Sequence, residues 1–327
     1  MTPLAHGPAA TGPFVLTGAS GWFGQTALWE YEQLLGPESL RRDVILFASA
    51  ARTIDFGSPH GPVEALPLQE IQHVPRTSGL LHLAFLTRER LAVEGLDAYV
   101  QKNRAITAAV AAWIKHHPTL PIITTSSGAA AALDGMPADL KGNPYATLKQ
   151  EEETLWKQQA SQRMALVFRV YAASGRFLKD PKIFALGDFI TQAKAGQPIT
   201  VRSPRPVIRS YVHVGTLMRL AWAMLLQPLP PGFLQVDAST HTLSLVDLAS
   251  RIADMWNLPP PLSRIDSNLA TDDYSADPTP FLELLARYQL KSPTLEQQIQ
   301  ESAEAITSDG VVANTHNGST GNQPPGR

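Results

Sequence analysis

The chain has 327 residues, 44% of them hydrophobic, so it can bury a large core as one big domain or two ordinary ones. Its formal net charge is −2 and it has no basic run, which argues against nucleic acid or an anionic membrane surface as a partner. It contains no cysteine, which excludes disulfides and thiolate metal sites and agrees with a reducing, cytoplasmic environment.

The sequence shows neither an export signal nor a membrane span. Residues 1–12 are rich in Pro, Gly and Ala, lack the basic cluster and apolar core of a signal peptide, and are expected to form a flexible leader. The apolar stretch 217–226 is too short to cross a bilayer and is interrupted by Arg219. The histidines are scattered, with no pair at ligand spacing beside a carboxylate, so no metal site is predicted.

The first structural motif is a strand that runs into a glycine-rich turn. Phe14–Thr17 predicts a buried strand, and Trp22–Leu35 has the apolar spacing of a helix. Between them, Gly18 allows the chain to turn, Gly21 lets the backbone approach a pyrophosphate, and Gly24 lets the helix pack on the sheet. The spacing is G-x-x-G-x-x-G rather than G-x-G-x-x-G, and a tight turn without a ligand is the alternative for such a triplet alone.

The end of the second strand bears on the choice of cofactor. This strand is predicted at Val44–Ala48, and in NAD-binding units an acidic residue near its end accepts the ribose hydroxyls. Residues 48–50 provide no carboxylate, whereas Arg52 follows closely and a guanidinium can hold a 2′-phosphate. A solvated loop arginine is the alternative interpretation. We therefore expect NADP to be favoured, with NAD possible.

A serine, a tyrosine and a lysine follow at spacings that suit proton transfer. Strand Pro121–Thr125 delivers Ser127 to its carboxyl end, where open α/β sheets bind ligands. Helix Pro144–Gln159 presents Tyr145 and Lys149 on one face. The ammonium is expected to favour the phenolate of a tyrosine whose ordinary pKa is about 10. The alternatives are a surface Tyr-Lys pair, and a hydrolase nucleophile, for which Ser127 lacks the surrounding elbow.

The remaining elements of the first half alternate between strand and helix. The first helix should stop at Gly36 and Pro37, further strands are expected at Val63–Leu66, Leu80–Phe85 and Ala165–Val170, and a long helix at Leu96–His116 contains Asn103. This alternation predicts an α/β fold, with a Rossmann-type doubly wound parallel sheet over residues 13–175.

The motifs occur in the order seen in extended short-chain dehydrogenase/reductases. They are Thr17–Gly24, His82–Ala84, Ser126–Ser127, Tyr145 with Lys149, and Arg209–Val214. The chain resembles the NAD(P)-dependent sugar epimerase/dehydratase family, and the resemblance covers roughly residues 12–306. It implies hydride transfer between a nicotinamide and a sugar carbon, with Tyr145 moving the proton and Ser127 orienting the reacting oxygen.

The resemblance also assigns binding residues. Cofactor contacts are implied for Gly18, Ser20, Gly21, Trp22, Phe23, Gly24, Leu83, Ala84, Asn103, Tyr145 and Lys149, in addition to Arg52. Ser127, Gly128 and Arg209 are implied to contact the substrate, with Arg209 on its diphosphate. Leu83 and Ala84 would line the nicotinamide, Lys149 would bind its ribose, and Asn103 would help to hold Lys149 and a water chain; an exposed helix asparagine is the alternative. His82 is expected to be a packing residue and His213 a structural one.

After Gly175 the regular alternation fades. Helices are expected at Phe184–Ala195, Thr216–Leu226, Leu245–Trp256 and Leu295–Ile306, strands at Ile199–Arg202 and Arg209–Val214, and irregular chain from Pro259. These pieces resemble the family's smaller substrate-binding lobe, expected mainly over residues 176–306 as an α+β unit partly interleaved with the Rossmann domain. Residues 307–327 are polar and are expected to be a disordered tail.

Some positions depart from the family pattern. Ala131 and Ala132 replace a common Tyr-Gly, Ala172 stands near a common asparagine, and Ser210 replaces an aspartate. Sugar dehydratases place Asp-Glu directly after the catalytic hydroxyl residue, where this chain has Gly128 and Ala129. These two residues cannot move a proton, so dehydration is disfavoured.

The sequence thus predicts an oxidoreductase or epimerase acting on a nucleotide-linked sugar, with ketone reduction favoured over epimerisation. The resemblance implies a homodimer packed through the helices at 96–116 and 144–159. A binding protein without turnover, which senses NAD(P)H or supports a partner, is the alternative.

Overall fold

The computed structural model describes residues 12–306. Its strands are β1 (Phe14–Thr17), β2 (Val44–Ala48), β3 (Arg52–Ile54), β4 (Val63–Pro67), β5 (Gly79–His82), β6 (Ile122–Ser127), β7 (Met164–Val170), β8 (Ala172–Ser174), β9 (Thr200–Val201), β10 (Val207–His213), β11 (Gly232–Ala238), β12 (His241–Ser244), β13 (Leu262–Ser263) and β14 (Asp272–Tyr274). Its helices are α1 (Trp22–Leu35), α2 (Pro37–Asp43), α3 (Leu91–Glu94), α4 (Leu96–Ile114), α5 (Gly128–Ala131), α6 (Pro144–Gln158), α7 (Ala185–Lys194), α8 (Val214–Leu226), α9 (Leu245–Met255), α10 (Thr279–Arg287) and α11 (Leu295–Glu304). The predicted leader up to residue 11 and the predicted tail lie outside the described residues, and Gly12 exchanges hydrogen bonds with the Ser78 hydroxyl.

The larger sheet has eight strands in the spatial order β11-β7-β6-β5-β1-β2-β4-β3. All neighbours run parallel except β3, which pairs antiparallel with β4. The chain order reverses between β1 and β5, so a crevice opens at the carboxyl ends of these two strands. The predicted Rossmann-type doubly wound parallel sheet is confirmed.

Helices cover both faces of the large sheet, which is why its strands are almost continuously apolar. On one face, α1 and α8 bring Tyr31 and Trp222 against Phe14, with ring centroids 4.8 to 6.4 Å apart. Edge-to-face pairs of this kind each contribute about 0.5 to 1.5 kcal/mol beyond their buried area. On the other face, α4 and α6 bury Trp113 and Trp156.

A smaller sheet stands beside the carboxyl edge of the large one. Its order is β12-β10-β14. Strand β14 pairs with residues 207–209 of β10, and β8 pairs with residues 211–213 of the same strand. Helices α7, α9 and α11 pack on it and form a separate apolar core. This sheet places Arg209 of β10 next to Tyr274 of β14.

Several elements were not predicted from the sequence, among them β3, β8, β12, β13, β14, α3 and α5, and three further differences have a clear cause. Strand β11 was missed because glycine, glutamine and aspartate interrupt its apolar residues. Helix α10 was missed because irregular chain was expected from Pro259 onward, although proline is tolerated in a first helical turn, where α10 has Pro280. Gly36 does end α1, but Pro37 then begins α2.

Strand β11 follows β10 in the chain and yet joins the large sheet. The smaller sheet is therefore inserted between segments of the larger unit, while the boundaries of the two predicted domains stay a prediction. Within residues 12–306, no helix is both long and apolar enough to cross a membrane.

Candidate active site

The glycine-rich turn fits tightly against the end of β5. Gly18 has a φ of +74°, and a Cβ there would lie 2.6 Å from the carbonyl carbon of Leu83. A Cβ at Gly24 would lie 2.2 Å from the carbonyl oxygen of Gly18, whereas one at Gly21 would meet nothing closer than 3.3 Å. The turn thus requires glycine at 18 and 24 for its own packing.

The start of α1 can accept an anion. Gly21 is its N-cap and is exposed, so no side chain caps the first amides. The first turn contains no acidic residue. Amides left free in this way, at the carboxyl end of a parallel sheet, suit the pyrophosphate of a dinucleotide. The residues present therefore fit the implied cofactor.

Two cations lie beside this turn. Arg52 is exposed at the start of β3, and Lys179 donates a hydrogen bond to the carbonyl oxygen of Ser20 at 2.8 Å. Burial and the nearby charge of Arg52 lower the pKa of Lys179, while Asp180 opposes the shift. Sequence reasoning missed Lys179, because nothing in its local sequence connects it to a turn 159 residues away.

Trp22 and Phe23 form an edge-to-face pair at the start of α1, with centroids 5.7 Å apart. The Trp22 indole donates a 2.6 Å hydrogen bond to the carbonyl oxygen of Arg176. Trp22 therefore anchors the segment that carries Lys179 to the glycine-rich turn, and Phe23 packs against Trp22.

The predicted catalytic residues meet at the carboxyl end of β6. Ser127 ends β6, and its hydroxyl lies 3.0 Å from the hydroxyl of Tyr274. Tyr145 and Lys149 project from the first turns of α6. Ser127 lies close enough to the Tyr145 phenol to lower its pKa by hydrogen bonding.

Lys149 is surrounded by partners. Its ammonium donates to the carbonyl oxygen of Thr125 at 2.9 Å and to Glu152 Oε2 at 3.0 Å. It also sits over the ring of Phe85, 3.7 Å from the centroid. The same ring meets Tyr145 edge to face at 5.9 Å. Phe85 thus contacts both side chains that the sequence assigned to catalysis.

A chain of buried polar groups continues behind Lys149. Glu152 Oε1 lies 3.0 Å from His82 Nε2, although the two atoms are poorly aligned for a hydrogen bond. His82 Nδ1 lies 2.6 Å from the Thr17 hydroxyl at the end of β1. His82 was expected to be a packing residue; it does pack edge to face on Trp156, with centroids 5.7 Å apart, and it also belongs to this polar network. The clue in the sequence was Glu152, three residues after Lys149 and so on the same helical face.

The pKa values of two groups in this cluster shift in opposite directions. Burial alone would raise the pKa of Glu152, but Lys149 and His82 outweigh it and hold the pKa well below its ordinary value. The pKa of Tyr145 is raised, first by burial and further by the charges of Glu89 and Glu152. The sequence argument expected Lys149 to lower the pKa of Tyr145. The raised pKa arises first from burial, so the expected effect of Lys149 stays a prediction.

Asn103 is buried, and its amide binds the backbone of Leu86. Its Oδ1 accepts from the Leu86 amide at 2.7 Å, and the Tyr99 hydroxyl donates to the Leu86 carbonyl oxygen at 2.9 Å. Asn103 therefore fixes the segment that follows Leu83 and Ala84. Its predicted role in holding Lys149 stays a prediction.

The predicted substrate residues are also engaged. Arg209 donates to both carboxylate oxygens of Asp272, at 2.8 and 3.2 Å, and to the Asp272 carbonyl oxygen at 2.9 Å. The ring of Tyr171 covers Gly128, where a Cβ would lie 2.4 Å from two ring carbons. Tyr171 in turn packs on Tyr274 with centroids 4.8 Å apart. Sequence reasoning missed Asp272 and Tyr274, since both lie in the stretch expected to be irregular.

Comparison with known proteins agrees with the Rossmann-type fold. The sequence matches the model of the "NAD dependent epimerase/dehydratase family" over residues 14–232. No curated protein sequence matches the chain.

Several solved structures are similar. MoeE5 in complex with UDP-glucose and NAD is 17% identical with a TM-score of 0.66, over 90% of this chain and 98% of that one. DesIV, a dTDP-glucose 4,6-dehydratase from Streptomyces venezuelae, solved as a double mutant with NAD and DAU bound, is 13% identical with a TM-score of 0.65, over 89% and 95%. UDP-glucose 4-epimerase from Thermotoga maritima with UDP-glucose is 14% identical with a TM-score of 0.67, over 89% and 97%.

At these identities the structural likeness shows the shared fold alone. The family model, however, covers more than half of the residues and includes the glycine-rich turn, Ser127, Tyr145 and Lys149. The chain therefore belongs to the NAD dependent epimerase/dehydratase family, which is a family of enzymes.

Proposed function

We propose that this protein is an NAD(P)-dependent oxidoreductase that reduces a ketone in a nucleotide-linked sugar. The observation that carries the proposal is the meeting of Ser127, Tyr145 and Lys149 at the carboxyl end of β6, in the sheet whose crevice holds the uncapped start of α1. The similar solved structures that bind UDP-glucose support the substrate class.

When bound, a reduced nicotinamide supplies the hydride that the carbonyl carbon accepts. Ser127 holds the carbonyl oxygen and orients it towards Tyr145. Tyr145 donates its phenolic proton to that oxygen, and Lys149 with its partners fixes the helix turn that carries the phenol. The turn from Gly18 to Gly24, together with Leu83 and Ala84, would hold the cofactor.

Dehydration and epimerisation are less favoured. After Ser127, neither Gly128 nor Ala129 can act as acid or base, and the Tyr171 ring covers Gly128. The choice of reduction over epimerisation rests on the cofactor, since a reductase consumes reduced cofactor and commonly uses NADPH. Arg52 and Lys179 beside Ser20 support NADPH. The alternative of a binding protein without turnover is disfavoured, because the chain belongs to a family of enzymes.

Replacing the catalytic phenol tests the proposed reaction. Tyr145→Phe should lower kcat about 100- to 10,000-fold, the usual contribution of a positioned acid, and leave NADPH binding nearly unchanged. The assay follows NADPH oxidation and product mass across a panel of nucleotide-linked ketosugars. Tyr288→Phe is the matched control, because its hydroxyl donates to the Gln227 carbonyl oxygen, away from the proposed catalytic set. Full turnover in Tyr145→Phe would refute the assignment, and a panel that yields no product would favour the binding protein.

The cofactor preference is tested at Arg52. Arg52→Ala should weaken NADPH binding by about 1 to 3 kcal/mol, the range for a lost hydrogen bond to a charged group, and leave NADH binding almost unchanged. Titration calorimetry with each cofactor measures the difference. Equal losses for the two cofactors would show that Arg52 does not recognise the 2′-phosphate.

The carboxylate of Asp272 binds Arg209, the residue proposed to bind the substrate diphosphate, and would compete with that diphosphate. Asp272→Asn removes the carboxylate from Arg209 and should raise the affinity for UDP by about 1 kcal/mol, or about fivefold. Asp273→Asn changes the net charge equally but touches the Ser275 hydroxyl instead, so it should have little effect. If both variants shifted UDP binding equally, or if Asp272→Asn weakened it, Arg209 would not be the diphosphate residue.

We further propose a homodimer in which α4 and α6 pack against the same helices of a second subunit. We also propose that the protein is cytoplasmic, because its sequence has no cysteine. Arg104 and Glu151 join the two helices through a 2.6 Å ion pair. A shallow groove of about 320 Å³ between them is lined by small residues such as Ala108 and Ala111, which permit close approach. Sedimentation at micromolar concentration should show a dimer, and a monomer alone would contradict this proposal.

A further inference from the structure

The chain between β8 and α7 crosses the glycine-rich turn and is tied to it twice. The Trp22 indole donates a 2.6 Å hydrogen bond to the carbonyl oxygen of Arg176. The Lys179 ammonium donates a 2.8 Å hydrogen bond to the carbonyl oxygen of Ser20. A lysine that follows the smaller sheet's β8 therefore stands beside the turn that is proposed to hold the cofactor.

The backbone on both sides of Lys179 has an uncommon conformation. Phe177 has a φ of +65° and Asp180 one of +48°. Aspartate tolerates this left-handed region, but a bulky phenylalanine rarely adopts it. Packing keeps it there, because Phe177 lies against the core of the large sheet and Leu178 is fully buried in the core of the smaller one. Strain of this kind is found mainly at binding sites, and here it fixes the segment that carries Lys179.

Ser20 lies on the side of the turn that faces β2. The amide of the neighbouring Ala19 donates to the carbonyl oxygen of Phe47 at 3.0 Å, whereas Gly18 packs on the segment after β5. The end of β2 is where Rossmann units bind the 2′-hydroxyl of NAD or the 2′-phosphate of NADP. Lys179 therefore stands at the adenosine ribose rather than at the nicotinamide.

Arg52 is a second cation at the same edge of the sheet. It begins β3, shortly after β2 ends at Ala48. Within residues 12–306, neither cation forms an ion pair, and Ser20 is the one acceptor that the Lys179 ammonium contacts, which leaves two of its three N–H donors for a ligand. Partial burial lowers the pKa of Lys179 and the charge of Arg52 lowers it further, while Asp180 opposes both. An anion bound between the two cations would relieve their repulsion.

We propose that Lys179 and Arg52 together hold the 2′-phosphate of NADPH, which makes Lys179 a specificity-determining residue for the cofactor. This rests on the proposed function, in which NADPH is the hydride donor. A phosphate group has three free oxygens, so it can accept from a guanidinium on one side and from an ammonium on the other. NADH has a hydroxyl at this position, which carries no charge to pair with either cation.

Titration calorimetry with NADPH and NADH measures this role without a substrate. Lys179→Met should weaken NADPH binding about tenfold, the effect of losing one hydrogen bond between charged groups, and change NADH binding by less than about twofold. The fragments 2′,5′-ADP and 5′-AMP differ only by the 2′-phosphate, and the variant should weaken binding of the first alone. Equal losses for both members of either pair, or no loss for NADPH, would overturn the proposal.

Two further variants separate the charge of Lys179 from its contact with Ser20. Lys179→Gln keeps an N–H donor for the Ser20 carbonyl oxygen but loses the charge, so it should weaken NADPH binding as Lys179→Met does. Lys179→Arg keeps the charge and should keep the preference for NADPH. Wild-type NADPH binding in Lys179→Gln would leave Lys179 a structural role only and overturn the proposal, also where Lys179→Met does not fold.

The matched control lies in the same segment. Lys182→Met removes an equal charge from an exposed side chain three residues further on, and should change neither affinity. A loss of NADPH binding as large as that of Lys179→Met would show that general charge attraction, rather than a contact, sets the preference, and would overturn the proposal.

A double variant completes the test and separates it from the test of the reaction. Arg52→Ala with Lys179→Met removes both proposed partners of the 2′-phosphate, so NADPH should bind no more tightly than NADH. A remaining preference for NADPH would overturn the proposal, because another group would then hold the phosphate. Turnover is a separate readout: a wild-type protein that reduces a ketosugar equally well with NADH and NADPH would uphold the reaction and overturn only the role of Lys179.

Discussion

The ion pair between Lys149 and Glu152 joins the helix of the proposed catalytic residues to the middle of the sheet. Lys149 binds the Thr125 carbonyl oxygen on β6, and Glu152 reaches His82 at the end of β5. His82 then meets Thr17 at the end of β1. Removing one partner of such a pair leaves a buried charge uncompensated, at a cost of about 3 to 5 kcal/mol. The positions of Tyr145 and of the crevice therefore depend on this contact.

A second constraint acts on the substrate side. Helix α5 and strand β14 bring Tyr274 to the Ser127 hydroxyl, while Asp272 on the same strand neutralises Arg209. Strand β14 of the smaller sheet thus contacts both Ser127, at the proposed reacting centre, and Arg209, at the proposed diphosphate site. For Arg209 to bind an anionic substrate, its hydrogen bonds to the Asp272 carboxylate have to be replaced by hydrogen bonds to the substrate. The affinity for such a substrate therefore depends on Asp272 as much as on Arg209.

The elements with strong periodicity could be predicted from the sequence, and the partners of charged residues could not. Strand β1 and helix α1 have the predicted bounds, because an apolar run, a glycine-rich turn and helical spacing follow one another. Glu151 to Glu153, by contrast, look like a solvated helix face. In the structure Glu151 pairs with Arg104, and Glu152 pairs with Lys149 and His82. Glu153 pairs with Arg169. Lys149 and Glu152 share a helical face three residues apart, but the other pairings join positions tens of residues apart, and no local pattern encodes those.

The proposed reaction is net reduction of a nucleotide-linked ketosugar, with Tyr145 as the proton donor. Its most direct test is a single turnover with NADPH deuterated at the transferred position and a nucleotide-linked ketosugar, followed by mass spectrometry of the sugar. In a net reduction the product gains one deuterium at the former carbonyl carbon, and one cofactor is oxidised for each product formed. An isomerised sugar without deuterium and without net oxidation of the cofactor would contradict it.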